Sequence, residues 1–120
     1  MDESGWQDSA RRAGEAIGRA LAAGDAVDAV AELGSANQAL DEALQEAMAA
    51  AVLAGASMRR VAEATGISPN SVPPRLARSK SLSPYAGEGS ITSQDIAVAR
   101  YDAASGRPPM TFTPRRKDSR

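Results

Sequence analysis

Small and apolar residues recur along the first half of the chain at spacings of three and four, the period of a helix with one buried face. Between Ser9 and Ala23, SARRAGEAIGRALAA sets Ala13, Ile17, Ala20 and Leu21 on one stripe behind Ser9 as N-cap. A first helix is expected there, although Gly14 and Gly18 each weaken it by roughly 1 kcal/mol relative to alanine. Gly24-Asp25 restarts the pattern, and Val27, Val30, Leu33, Asn37, Leu40, Leu44, Met48 and Val52 follow at helical intervals. Gly34-Ser35 interrupts this run, so two helices over about 25–33 and 35–54, or one bent helix, are equal readings. The stripe must bury against something, either the N-terminal helix or a second copy of the chain. Asp41, Glu42 and Glu46 fall on the other face and read as solvated charges rather than as a metal or catalytic cluster. Trp6 lies ahead of the first helix, in a disordered N-terminus of residues 1–8 from which it folds back or stays exposed.

After Gly55 the pattern changes. Ser57 is an N-cap candidate for MRRVAEAT, and Gly66 closes that short helix through a left-handed backbone conformation. Val61, Ala62 and Thr65 face inward in this register, and Arg59, Arg60 and Glu63 face out. In SMRRVAEATGISPNSVPPRLA, over Ser57–Ala77, Ala62, Gly66, Ile67 and Val72 have the spacing of a helix-turn-helix. A small residue lets two helices cross closely, glycine makes the turn, and the later apolar residues pin the second helix on the first. Proline is tolerated only in a first helical turn, so Pro73 and Pro74 place the start of the second helix near Val72. Asn70 or Ser71 would cap it, and it would run to about Lys80 with Leu76 inward and Arg75, Arg78 and Lys80 outward.

Beyond it, SLSPYAGEGS reads as a loop, a short hairpin or a wing. Its Gly87-Glu88-Gly89 has no following Lys-Ser/Thr and no preceding strand, so it is not a phosphate loop. Thr92 and Asp95 have the spacing of a capping box at the head of SQDIAVARYDAAS, a helix docked through Ile96, Ala99 and Tyr101. Residues 105–120 are a basic tail, disordered when unbound. Its β-prone run Met110–Thr113 either stays disordered or adds to the edge of a partner's sheet. The expected architecture is all-α: a small helical domain comprising an acidic packing or dimerisation region over 9–54, a helix-turn-helix region with a following short helix over 55–104, and a flexible basic C-terminal tail.

Composition narrows the chemistry. With 120 residues, 42% hydrophobic and only 3% aromatic, the chain has room for one compact domain with a thin core of Ala, Leu, Val, Ile and Met. There is neither cysteine nor histidine. That removes disulfides, Cys/His zinc sites, thiol nucleophiles and histidine acid/base pairs, so a binding protein without cofactor or metal is expected rather than an enzyme. The polar start MDESGWQDSARR resembles neither a secretory signal nor a membrane span, which makes the cytoplasm the expected location. The net charge of −1 conceals an asymmetry: residues 1–57 carry ten acidic and three basic side chains, and residues 58–120 carry eleven basic and five acidic. A basic half suggests a nucleic-acid face, although a solvated tail gives the same sum. Arginine outnumbers lysine twelve to two, a bias resembling high-GC bacterial proteins that owes part of its size to genome composition.

From about Leu40 to Arg78 the chain resembles bacterial helix-turn-helix domains of small transcriptional regulators. The likeness lies in the order Gly55-Ala56-Ser57, basic and apolar residues, Ala62, Gly66-Ile67-Ser68 and Val72. It covers about a third of the chain. The resemblance implies a tri-helical core, the second motif helix as DNA reader, and a homodimer on a palindromic site. Arg75 departs from the pattern, which has an apolar residue there; Leu76 takes that part.

Such a helix reads double-stranded DNA by lying in the major groove with its N-terminal residues at base edges. Asn70, Ser71 and Arg75 are the candidate readers. Arg59, Arg60, Arg78 and Lys80 are candidates for phosphate contacts. In the tail, Arg115, Arg116 and Lys117 either lie along phosphates as an arm or serve solubility. The expected function is sequence-specific duplex-DNA binding in transcription regulation, with a homodimer formed through the N-terminal helices and no membrane association. The alternative is a non-enzymatic helical adaptor that grips another protein and uses the motif as scaffold.

Overall fold

Gly5, at φ 89°, starts the first helix, α1 (Trp6–Leu21). Asp8 lies in its first turn, where a carboxylate faces the positive end of the helix dipole, and it pairs with Arg12 at 2.7 Å. The helix therefore starts four residues earlier than expected, its N-cap at Gly5 rather than Ser9, and Trp6 forms its first turn. Ser9 is no cap: it lies inside the helix, buried, with its hydroxyl 3.2 Å from Arg12. The computed structural model describes residues 5–87 and 89–106. All regular structure among them is helical, in five α-helices joined by short turns. None of these helices is long and apolar enough to cross a membrane.

Asp25 accepts a hydrogen bond from the Asp28 N–H at 2.8 Å and so caps α2 (Ala26–Leu53), a single helix of 28 residues. Gly34 does not break it. Ala, Leu, Gln and Glu dominate its neighbours, and their helix propensity offsets one glycine. By its contacts the chain forms two compact units, the first ending at Ala47 and the second beginning at Met48.

The first unit is a helical hairpin. Arg12 reaches Glu42 and Arg19 reaches Glu32, each at 2.8 Å, so stepping forward along α1 means stepping backward along α2. The two helices are antiparallel. Their buried residues are mostly alanine: Ala13 and Ala16 from α1, and Ala36, Ala39 and Ala43 from α2. The expected stripe is thereby corrected, because Ile17, Leu21, Val27, Val30, Leu33 and Leu40 all remain exposed. Small side chains let the helix axes approach, and the large residues are displaced to the flank. The acidic face is also corrected in part. Asp41 and Glu42 are exposed, Glu42 on Arg12, whereas Glu46 is buried.

The second unit buries larger side chains. Met48 and Val52 from the end of α2 join Val61 and Ala62 of α3 (Met58–Thr65) and Val72 and Leu76 of α4 (Val72–Arg78). Leu82, Tyr85, Ile91 and, from α5 (Ser93–Ser105), Ile96 and Ala99 complete this core. The capping box of Thr92 and Asp95 is formed in both directions, at 2.9 and 3.1 Å. Tyr101 does not dock α5; it is 63% exposed, and Asp102, the next residue, turns inward instead. Between α4 and α5 the chain makes a 3-10 turn over Ser83–Tyr85, with no hairpin or winged strand among the described residues. The expected tail, with Arg115, Arg116, Lys117 and the run Met110–Thr113, lies outside the described residues.

Candidate nucleic-acid interface

The segment Ser57–Ala77 begins with a satisfied cap. The Ser57 hydroxyl accepts from the Arg60 N–H at 3.0 Å, which anchors the first turn of α3 and points its start outward with exposed Arg59 and Arg60. At the other end Gly66 adopts φ 85°, a left-handed conformation that only glycine enters without strain. The Gly66 and Ile67 N–H groups both reach the Ala62 carbonyl, at 2.8 and 3.2 Å. That pairing closes the helix and turns the chain sharply.

The second helix differs from expectation at its start. Ser68 is extended, and Pro69 opens a 3-10 turn over Pro69–Ser71 that leads directly into α4 at Val72. Ser71 and Val72 donate backwards to the Ser68 and Pro69 carbonyls, so the helical path begins at Pro69. Neither Asn70 nor Ser71 caps α4. Asn70 is an exposed member of the turn, and Ser71 has helical angles with no side-chain cap bond. The Ser71 hydroxyl instead faces that of Ser68 at 3.1 Å. Pro69 opens the 3-10 turn, and Pro73 and Pro74 fall in the first turn of α4, where a missing N–H costs no intrahelical bond, so the prolines do not break the path.

The α4 helix ends at Arg78 rather than near Lys80. Ser79 stops it in an extended conformation, and its fully buried hydroxyl donates to the Leu76 carbonyl at 2.8 Å and accepts from the Leu82 N–H at 3.1 Å. Val72, Leu76 and Ala77 face the core. At 100° per residue, Ser71, Pro74, Arg75 and Arg78 consequently share the outward face. Arg78 is exposed, and Ser71 and Arg75 are half-buried. Lys80 lies exposed beyond the helix end, and Arg59 and Arg60 belong to the separate first turn of α3.

Two long-range contacts brace this platform. Tyr85, just after α4, donates to Asp102 of α5 at 2.7 Å inside the core. Burial, together with that bond, pushes the Tyr85 hydroxyl up to about 12. Arg100 of α5 donates to the Val52 carbonyl, which also accepts from the Gly55 N–H, at 2.8 Å, and to the Ala56 carbonyl just beyond α2 at 3.3 Å. These pairs are separated by 17, 48 and 44 residues, so no local pattern announced them. A cleft of about 330 Å³ lies beside the start of α3, lined by Ser57, Met58, Ser93, Ile96 and Arg100. Its cation is the arginine already held by those carbonyls, which leaves little charge for binding a small anion.

The second unit's described residues carry Arg59, Arg60, Arg75, Arg78, Lys80 and Arg100 against Glu63, Asp95 and Asp102. Six cations thus stand against three carboxylates among these residues. A surface of this sign attracts a phosphate backbone. No protein-family model matches the chain, and neither a curated protein nor a solved structure shows significant similarity to it.

Proposed function

We propose that the chain is a sequence-specific duplex-DNA-binding protein, a transcriptional regulator whose α3 and α4 act as a helix-turn-helix. The observation that carries this reading is the left-handed Gly66 turn, followed by a helical path whose outward face begins with Ser71 and continues through Arg75 and Arg78. In a major groove, Asn70, Ser71 and Arg75 meet base edges, and Arg78, Lys80, Arg59 and Arg60 meet phosphates. The role is binding rather than catalysis, since the chain contains no histidine or cysteine to build a nucleophile and base.

Duplex binding by fluorescence anisotropy at two salt concentrations tests the reading. Affinity should fall steeply with salt. Arg75→Ala should cost about 1–3 kcal/mol and relax preference among sequences, whereas Arg78→Ala should weaken all duplexes alike and flatten the salt dependence. Absence of binding to genomic fragments at low salt removes the proposal.

A further inference from the structure

We propose that two copies of the chain associate through an apolar face of the N-terminal hairpin, formed by Ile17, Leu21, Val30, Leu33 and Leu40 around Asn37. Leu21 is 86% exposed, Val30 69%, and the other three apolar residues about half exposed. These side chains are not scattered. On each helix Ile17, Leu21, Leu33 and Leu40 lie roughly a quarter turn from the buried alanine stripe, and Val30 somewhat further, in the same rotational sense. Because α1 and α2 are antiparallel, equal rotation brings both sets to one side of the hairpin. Alanine packing brings the helices close, and the large residues project together like half the core of a four-helix bundle.

Three observations select a second copy as the occupant. Burying the exposed parts of these residues in both copies removes on the order of 1,000 Å² from water, the lower size of a specific protein interface. Along α2, Val30, Leu33, Asn37, Leu40 and Leu44 alternate by three and four, the core positions of a heptad. Asn37 is the polar member of that seam. An amide carries both donor and acceptor, so across a two-fold axis it is satisfied by its own counterpart, and it penalises other registers. The hairpin as a whole is also acidic, with Arg11, Arg12 and Arg19 against eight carboxylates over residues 5–47, a sign that disfavours nucleic acid as the occupant.

Sedimentation equilibrium of the full chain, without DNA, tests this independently of the proposed function. The expected mass is twice 12.4 kDa. A double variant, Leu33→Glu with Leu40→Glu, should sediment as a monomer. Asn37→Asp keeps the shape but places two charges at the axis, and should weaken association about tenfold or more. Circular dichroism and tyrosine absorbance check that the second unit of each variant is folded. A monomeric wild type across about a hundredfold concentration range, with unchanged helicity, overturns the proposal. So does a double variant that still dimerises, since the interface would then lie elsewhere.

Discussion

The two units solve the same problem with opposite materials. In the hairpin the buried apolar positions are alanines, and seven of the nine large hydrophobic residues exposed on the described surface belong to it. In the second unit Met48, Val52, Val61, Val72, Leu76, Leu82, Tyr85, Ile91 and Ile96 are enclosed, and among its described large hydrophobic residues only Val98 and Tyr101 are exposed. Alanine removes little area from water, while each buried Val, Leu or Ile contributes about 1.5–3 kcal/mol. The second unit therefore carries its own stabilisation, and the hairpin holds most of its apolar surface in reserve. A leucine on α2 before Asn37 and a leucine on α4 are chemically the same residue with different roles.

Truncating each of them is the strongest way to break that contrast. Leu76→Ala empties a fully buried site and should destabilise the second unit by about 2–5 kcal/mol, seen as a lower thermal midpoint in circular dichroism. Leu33→Ala, measured in monomeric protein, should change stability by less than about 0.5 kcal/mol, because its side chain is half exposed. Equal losses at the two positions would mean that the hairpin core is not the alanine stripe.

A smaller effect distinguishes the units by pH. Tyr85 has its hydroxyl raised to about 12 from 10.0, chiefly by burial and then by the bond to Asp102. A raised folded value means that the native state holds the proton more tightly. Its stabilisation is complete below pH 10, declines as the unfolded chain ionises first, and is gone above about 12. Tyr85→Phe should cost about 1–3 kcal/mol at neutral pH, because it leaves a buried carboxylate without its donor. The same variant should lose that component of the alkaline decline. Tyrosinate absorbance reports on this unit alone, since both tyrosines belong to it and the single tryptophan, Trp6, belongs to the hairpin.

What the sequence disclosed follows the range of the interactions. Ser57, Gly66 and the Thr92–Asp95 box are settled within a few residues of backbone, and each forms as its spacing predicts. The inward positions Val61, Ala62, Val72 and Leu76 follow from a period and were equally legible. The start of the second helix was not, because Pro73 and Pro74 constrain only where an α-helix can begin. A 3-10 turn at Pro69 meets the same constraint three residues earlier. The hairpin misled for another reason: a stripe of Ile, Leu and Val indicates a face that needs covering, without saying that the cover is in the same chain. Of the α1 stripe Ala13, Ile17, Ala20 and Leu21, Ala13 is buried beside Ala16, whereas Ile17 and Leu21 are exposed. Arg100 on the Val52 carbonyl and Tyr85 on Asp102 depend on the folded path itself, and have no local signature.

The smallest expected effect concerns Gly34, at the junction where the sequence pattern fits two helices or one bent helix equally. It sits inside a continuous α2, and a Cβ built on it meets nothing within 4 Å. Its φ is not in the left-handed region, unlike that of Gly66. Nothing in the hairpin therefore uses the freedom that glycine offers, while the unfolded chain still gains entropy from it. Gly34→Ala should stabilise the hairpin by about 0.5–1 kcal/mol, read as a higher midpoint in Trp6 fluorescence, with the tyrosine-reported transition moving less. A destabilised hairpin would show instead that α2 bends at Gly34 in solution.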